Sequence, residues 1–167
     1  MILVDEFDNE IGEMEKLEAH QTARLHRAFS IFIFNDKQEM LLQQRAKNKY
    51  HSALLWTNAC CSHPKPGETN IEAAHRRLKE EMGFDCELES KFNFIYKTPL
   101  ENELFEHELD HIFTGKYQGE IVINKEEAND YKWISLEKIK EEMEKNPSNF
   151  TIWFRLIITQ HLNKLLS

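Results

Sequence analysis

Most groups able to do chemistry fall in or near the stretch WTNACCSHPKPGETNIEAAHRRLKEEMGF, from Trp56 to Phe84. Cys60 and Cys61 stand beside Ser62 and His63 and could include a reactive thiol, although a buried cysteine is usually inert. Further on, LFEHELDHIF from Leu104 to Phe113 alternates in character. In a strand, Glu106, Glu108 and Asp110 share one face, and Phe105, His107, Leu109 and His111 the other. Carboxylates crowded on one face of an interior strand repel one another unless a cation sits between them. On an exposed edge strand the same residues would simply face water. Glu101 and Glu103 form a second Glu-x-Glu pair, but they sit in a turn ahead of the apolar core.

The chain has eight histidines, of which His20, His26 and His63 matter most. The first two are six positions apart, off a common helix face, so a bend must bring them together. Three neutral imidazoles with two carboxylates would satisfy a divalent transition metal of octahedral tendency such as Mn²⁺, with Zn²⁺ as the alternative. His51, His75, His107, His111 and His161 carry no such signal and read as ordinary. Basic residues gather early, at Lys16, Arg24, Arg27, Arg45, Lys47 and Lys49. With 29 acidic against 21 basic residues and a net charge of −8, the surface as a whole repels nucleic acid and anionic membrane. An anionic small molecule would have to be gripped by that local cluster, through charge-assisted hydrogen bonds.

Several elements must hold these groups. Thr69 to Glu72 is a capping box, in which the threonine takes a free backbone N–H and the glutamate reaches back. Ile71, Ala74, Leu78 and Met82 follow at helical spacing, and Gly83 ends the run. Arg76, Arg77, Glu80 and Glu81 lie on the other sides of this helix, with Glu68 at its entrance. Their i,i+4 pairing also fits a solvated face. Phe29–Phe34 reads as a buried strand, turned at Asn35-Asp36 into a returning strand over 40–44. Strands are expected at 1–4, 92–98, 104–114, 120–123 and 131–134. Ser135 caps a helix reaching Asn146, and a last helix spans 149–166. Strands interleaved with helices predict an α/β sandwich with a mixed sheet, residues 1–167 forming one domain.

No apolar run approaches the roughly 18 residues needed to span a bilayer. The opening MILVDEFDNE lacks the features of an export signal, and three cysteines, two adjacent, do not suggest a disulfide framework. A reducing cytoplasm is the expected setting.

Taken in order, LHRAFS, WTNACCSHP and EHELDH resemble the three catalytic segments of the type I isopentenyl diphosphate isomerases, a branch of the Nudix superfamily. The resemblance runs from about Met1 to Leu165. The Nudix box aligns with Ser62, Glu68, Arg76, Arg77, Leu78, Glu80, Glu81, Gly83 and Phe84. Ser62 replaces its first glycine and Arg77 replaces a metal-holding glutamate, a loss that fits the isomerase branch better than a hydrolase.

The resemblance implies a Nudix-like sandwich that interconverts isopentenyl and dimethylallyl diphosphate through a tertiary carbocation. His20, His26, His63, Glu106 and Glu108 would bind one divalent metal, Mn²⁺ with Zn²⁺ or Mg²⁺ as alternatives. Cys61 and Glu108 would transfer protons with Tyr96 assisting, and Glu81 would hold a Mg²⁺ that also touches the diphosphate. Lys16, Arg45, Lys49 and Arg77 would bind that diphosphate, and Trp153 would cover the reacting carbons. No flavin, nucleic acid or membrane is expected, and the chain would act as a monomer or homodimer. The competing readings are a Nudix hydrolase cleaving a nucleoside diphosphate derivative, and a catalytically inert binding module.

Overall fold

Phe29–Phe34 is apolar at nearly every consecutive position, which a strand tolerates when both of its faces are covered. In the computed structural model, which describes residues 1–167, this run lies inside a nine-stranded mixed sheet. The strands are β1 (Ile2–Val4), β2 (Glu10–Glu13), β3 (His26–Phe34), β4 (Met40–Arg45), β5 (Trp56–Thr57), β6 (Cys60–Ser62), β7 (Leu88–Pro99), β8 (Phe105–Lys116) and β9 (Ala128–Ile134). The helices are α1 (Lys16–Gln21), α2 (Asn70–Met82), α3 (Leu136–Lys145), α4 (Ile152–Gln160) and α5 (Leu162–Leu166).

β3 organises the sheet. One edge pairs in parallel with β8, from His26 opposite Glu108 to Phe34 opposite Lys116. Its other partners follow in turn, all antiparallel: β1 at His26, β6 at Phe29–Ile31, and β4 at Phe34. β8 carries β7 antiparallel on its far edge, and β4 pairs with both β5 and β9. The hairpin expected of β3 and β4 is therefore joined only at its tip, Phe34 opposite Met40. Beyond the tip the two strands splay, and the residues between them become available to a cleft.

The period-2 geometry of β3 explains its unbroken apolarity. Phe29, Ile31 and Ile33 pack with Ala73, Ala74, Leu78 and Met82 of α2. Phe32 faces the other way, onto Ile139 of α3, Phe150, and Trp153, Phe154 and Ile157 of α4. Two cores thus sandwich one sheet, in agreement with the expected α/β architecture.

The α2 capping box forms as read: Thr69 Oγ1 accepts from Glu72 N–H, and Glu72 Oε2 accepts from Thr69 N–H. Gly83 closes the helix in the left-handed region at φ +73°. Ile71, however, is exposed, and its place in the buried stripe is taken by Ala73.

Two other expectations are corrected. Residues 120–123 form no strand. That segment crosses the end of α2 so closely that a Cβ on Gly83 would sit 2.2 Å from Val122 O, and Asn124 N–H donates to Glu81 O. The helix end, not a sheet neighbour, takes up the backbone there. The helix expected over 149–166 is also divided. Phe150 bridges Trp56 in extended backbone, so α4 begins at Ile152. At His161 the backbone leaves helical φ (−125°), with the ring packed beside Phe92 and Phe94. The short β2, β5, β6 and α1 lie outside the expected elements, and Cys61, expected in a loop, stands on β6. α1 matters, because it carries His20.

Candidate active site

The bend required between His20 and His26 is made by the end of α1 and a left-handed Ala23, φ +52°. His20 Nδ1 donates to Lys16 O (2.7 Å) and His26 Nδ1 to Arg24 O (2.8 Å). Each Nε2 is then left as a lone pair pointing inward. Those lone pairs face carboxylate oxygens: His20 Nε2 is 3.3 Å from Glu106 Oε2, and His26 Nε2 is 3.4 Å from Glu108 Oε1. Both histidine Nε2 atoms and Glu106 Oε2 are buried without a hydrogen-bond partner. Leaving three such groups unmatched is costly, and lone pair against anion is repulsive unless a cation lies between.

Donor atoms of His20, His26, Glu106 and Glu108 all fall within 4.8 Å of one another. His63 joins them, its Nε2 3.0 Å from Glu108 Oε1 and its ring 5.2 Å from that of His26. The residues present fit a divalent metal. The sheet register produces this meeting: Glu108 sits opposite His26 across the parallel ladder and opposite Tyr96 across the antiparallel one. The acidic face of β8 is therefore interior and not the alternative exposed edge.

Burial pushes both carboxyls up, but Glu108, set against His26 and His63, is held well below the ordinary range. Glu106, equally desolvated and beside that negative charge, lies well above its ordinary value. Burial also pushes His51 and His63 down to about 3, so both imidazoles are neutral at pH 7.

Cys61 stands on β6 opposite Ser30 of β3 and is half-buried. Its S–H lies 3.0 Å from Asn58 Oδ1, and the Asn58 amide is fixed by donating to Ile31 O and Cys60 O. The Ser30 hydroxyl donates to the buried Asp110 at 2.8 Å and lies 3.6 Å from the sulfur. Burial, reinforced by Asp110, pushes the thiol up to about 12, so Cys61 is protonated at neutral pH. Tyr96 O–H donates to Glu108 Oε2 at 2.8 Å.

Cys61 and Glu108 line one cleft of about 550 Å³ including its open mouth, together with Glu106, His63 and Trp153. Lys16, Arg45, Lys49, Arg77 and Glu81 also line it. Lys49 is paired with Glu127, and Arg77 with Glu80, Glu81 and Glu127. Lys16 and Arg45 have no carboxylate partner; Arg45 stacks 5.3 Å over the Trp153 ring and donates to His51 O and Ser52 O. Two uncompensated cations at the mouth of a cleft suit an anion. Glu81 accepts from Arg77 (2.6 Å) and from Gln43 Nε2 (3.0 Å).

All thirteen residues singled out for the site thus gather here, with His20, His26 and Tyr96 behind the cleft wall. Glu68 does not join them. It is bound by Arg76 at 2.7 and 2.9 Å, and that guanidinium holds its carboxyl down at about 2. Four participants escaped the sequence reading: Ser30, Gln43, Asn58 and His51. Asn58 had the one available signal, its place in the Trp56–Phe84 stretch. His51, read as ordinary, is 4% exposed and lies 3.4 Å from Glu106 Oε1.

Residues 24–154 match the model of the NUDIX domain. A Photorhabdus laumondii protein named isopentenyl-diphosphate Delta-isomerase 2 is 52% identical over 158 residues, covering 95% of this chain and 89% of its own length. An Aromatoleum aromaticum protein of the same name is 47% identical, with 98% and 89% covered. Among solved structures, a Deinococcus radiodurans protein superposes with a TM-score of 0.78 at 15% identity, covering 96% of this chain and 98% of its own. A MutT protein from Methanosarcina mazei does so with 0.69 at 21%, covering 84% and 94%. Those two share the fold.

Proposed function

The chain belongs to the Nudix family, among the isopentenyl-diphosphate Delta-isomerases, and from that footing we propose that it interconverts isopentenyl and dimethylallyl diphosphate by proton transfer between Cys61 and Glu108. The observation that carries this reading is that a protonated thiol and a tethered carboxyl line one cleft, walled by Trp153 and with basic groups at its mouth.

Shifting the double bond requires one proton to join the terminal methylene and another to leave the methylene on the far side of the branched carbon. No atom is gained or lost overall. Cys61 and Glu108, on separate strands, act at opposite sides of the carbon chain, one as donor and the other as acceptor. The Tyr96 hydroxyl steadies the ionised Glu108 through Oε2. Trp153 covers the slot, and its ring face would stabilise a developing cation by on the order of 2 kcal/mol when desolvated. Excluding water matters, because water would capture the cation as an alcohol.

His20, His26, His63, Glu106 and Glu108 would hold a divalent ion, Mn²⁺ on the strength of the His₃Glu₂ donor set, with Zn²⁺ or Mg²⁺ as alternatives. When bound, that ion supplies positive charge that sets the ionisation of the carboxyls. Lys16, Arg45, Lys49 and Arg77 bind the diphosphate. Glu81 keeps lone pairs beyond the two bonds it already accepts, and these are available to a Mg²⁺ shared with the diphosphate. Residues 1–167 act as one domain, and three free cysteines suit a reducing cytoplasm.

Incubation with isopentenyl diphosphate tests the proposal. Dimethylallyl diphosphate without phosphate release is the expected result; released phosphate would instead favour hydrolysis. Cys61→Ala and Glu108→Gln should each abolish turnover while diphosphate binding survives. Turnover persisting in either variant removes that residue from proton transfer.

A further inference from the structure

His51 is a buried imidazole with no part in the chemistry described so far. The loop that carries it is tied on both sides. Arg45 donates to His51 O (3.3 Å) and Ser52 O (3.2 Å), and Ser52 N–H donates to the Glu101 carboxylate. Ser52 and Leu54 both hold left-handed backbone, φ +52° and +61°, a conformation that non-glycine residues keep only where their surroundings impose it. Tyr50 packs edge-on against the imidazole at 4.9 Å, and Trp153 does so at 6.1 Å. A loop fixed in this way presents a side chain for a purpose.

That purpose is legible in the two oxygens of Glu106. Oε2 faces His20 Nε2 inside the ion cluster and has no hydrogen-bond partner. Oε1 lies 3.4 Å from His51 Nε2. His51 Nδ1 lies 3.1 Å from Ser52 Oγ. With the Ser52 hydroxyl donating to Nδ1, Nε2 carries the hydrogen on the side of Glu106 Oε1, in contact but at 3.4 Å longer than an ordinary hydrogen bond. His51 Nε2 contacts Oε1 of Glu106, not the Oε2 that faces His20, and so stands beside the ion site rather than in it.

We infer that His51 is a positioning residue that holds Glu106 through Oε1, so that Oε2 is turned toward the cation held with His20 and His26. An outer partner of this kind typically changes metal affinity by about tenfold to a hundredfold. The inference rests on the proposed ion site and deepens it.

The test is a titration of chelator-stripped protein with Mn²⁺ alone, following the free ion by electron paramagnetic resonance, with melting of the stripped proteins alongside. His51→Leu keeps the bulk and loses the donor, and is expected to weaken Mn²⁺ binding by about tenfold to a hundredfold. His51→Gln can still donate to Oε1 and should recover most of that loss. The stripped proteins should melt alike. Unchanged affinity in His51→Leu overturns the role, as does an equal loss in the Leu and Gln variants, which would mean packing alone. A parent protein that takes up no Mn²⁺ refutes the ion site and the inference with it. A parent that binds while the His51 variants match it refutes only the inference.

Discussion

The indole Nε1 of Trp153 donates a hydrogen bond to Sγ of Cys61 at 3.1 Å, joining the start of α4 to β6. A donor at the sulfur favours thiolate, whereas the Asn58 oxygen, accepting from S–H, favours thiol. Burial decides the balance and pushes the thiol up to about 12. Trp153 is thereby a wall of the cleft and a brake on that rise.

Trp153→Phe keeps an aromatic face and loses the N–H. Alkylation of Cys61 by iodoacetamide, read at that residue by mass spectrometry under mildly alkaline conditions, should slow by about twofold to tenfold, the scale of one neutral hydrogen bond. An unchanged or faster reaction would mean that the indole does not support the thiolate.

Tyr96→Phe removes the only O–H donor to Glu108 Oε2. Hydrogen bonds to charged groups contribute roughly 1.5–3 kcal/mol, so kcat should fall by about tenfold to a hundredfold. KM should hold, because Tyr96 does not line the cleft. Steady-state kinetics on isopentenyl diphosphate separates the two, and a raised KM with intact kcat contradicts this placement.

Mn²⁺ added to stripped protein should raise the melting temperature. At free metal about a hundred times Kd, the stabilisation amounts to roughly 2.7 kcal/mol. His26→Ala or Glu106→Gln should largely erase the response, as followed by calorimetry. A full response in both variants would place the ion elsewhere.

Glu68 gives a pH-dependent prediction. Its carboxyl, held at about 2 by Arg76, ionises far more readily than the ordinary group near 4.5. A depressed folded-state value contributes stability that is complete above about 4.5 and disappears as pH falls toward 2. Glu68→Gln should therefore cost about 0.5–1 kcal/mol at pH 7, with the gap narrowing below pH 4.5. Denaturant midpoints across that range provide the check, and a gap that widens in acid reverses the sign.

Periodicity and capping made much of this fold legible. Six nearly continuous apolar residues announced β3, the Thr69–Glu72 box fixed the start of α2, and the alternation in LFEHELDHIF gave the face of β8 that meets the histidines. Less legible was anything set by contact between distant segments. Residues 120–123 looked like a strand because local propensity cannot register that Gly83 accepts Val122 against its bare Cα. His51 looked ordinary because a lone histidine in a loop has no period to read; its significance comes from Glu106 and from the Arg45 and Glu101 contacts that tie the loop. Ser30 was hidden for the same reason, inside a strand read only for its apolarity, until the register set its hydroxyl between Asp110 and Cys61.

The parallel ladder between β3 and β8 has a consequence for biogenesis. Ser30 and Asp110, 80 positions apart, touch across it, as do His26 and Glu108 of the proposed ion site. While the chain is being translated, the histidines of its first part wait, unmatched, for carboxylates still to leave the ribosome. Closing so long a loop comes before any reward from pairing, so assembly of the centre follows the slow, non-local step. Metal would then act as a latch on the finished protein, retarding its opening more than hastening its formation.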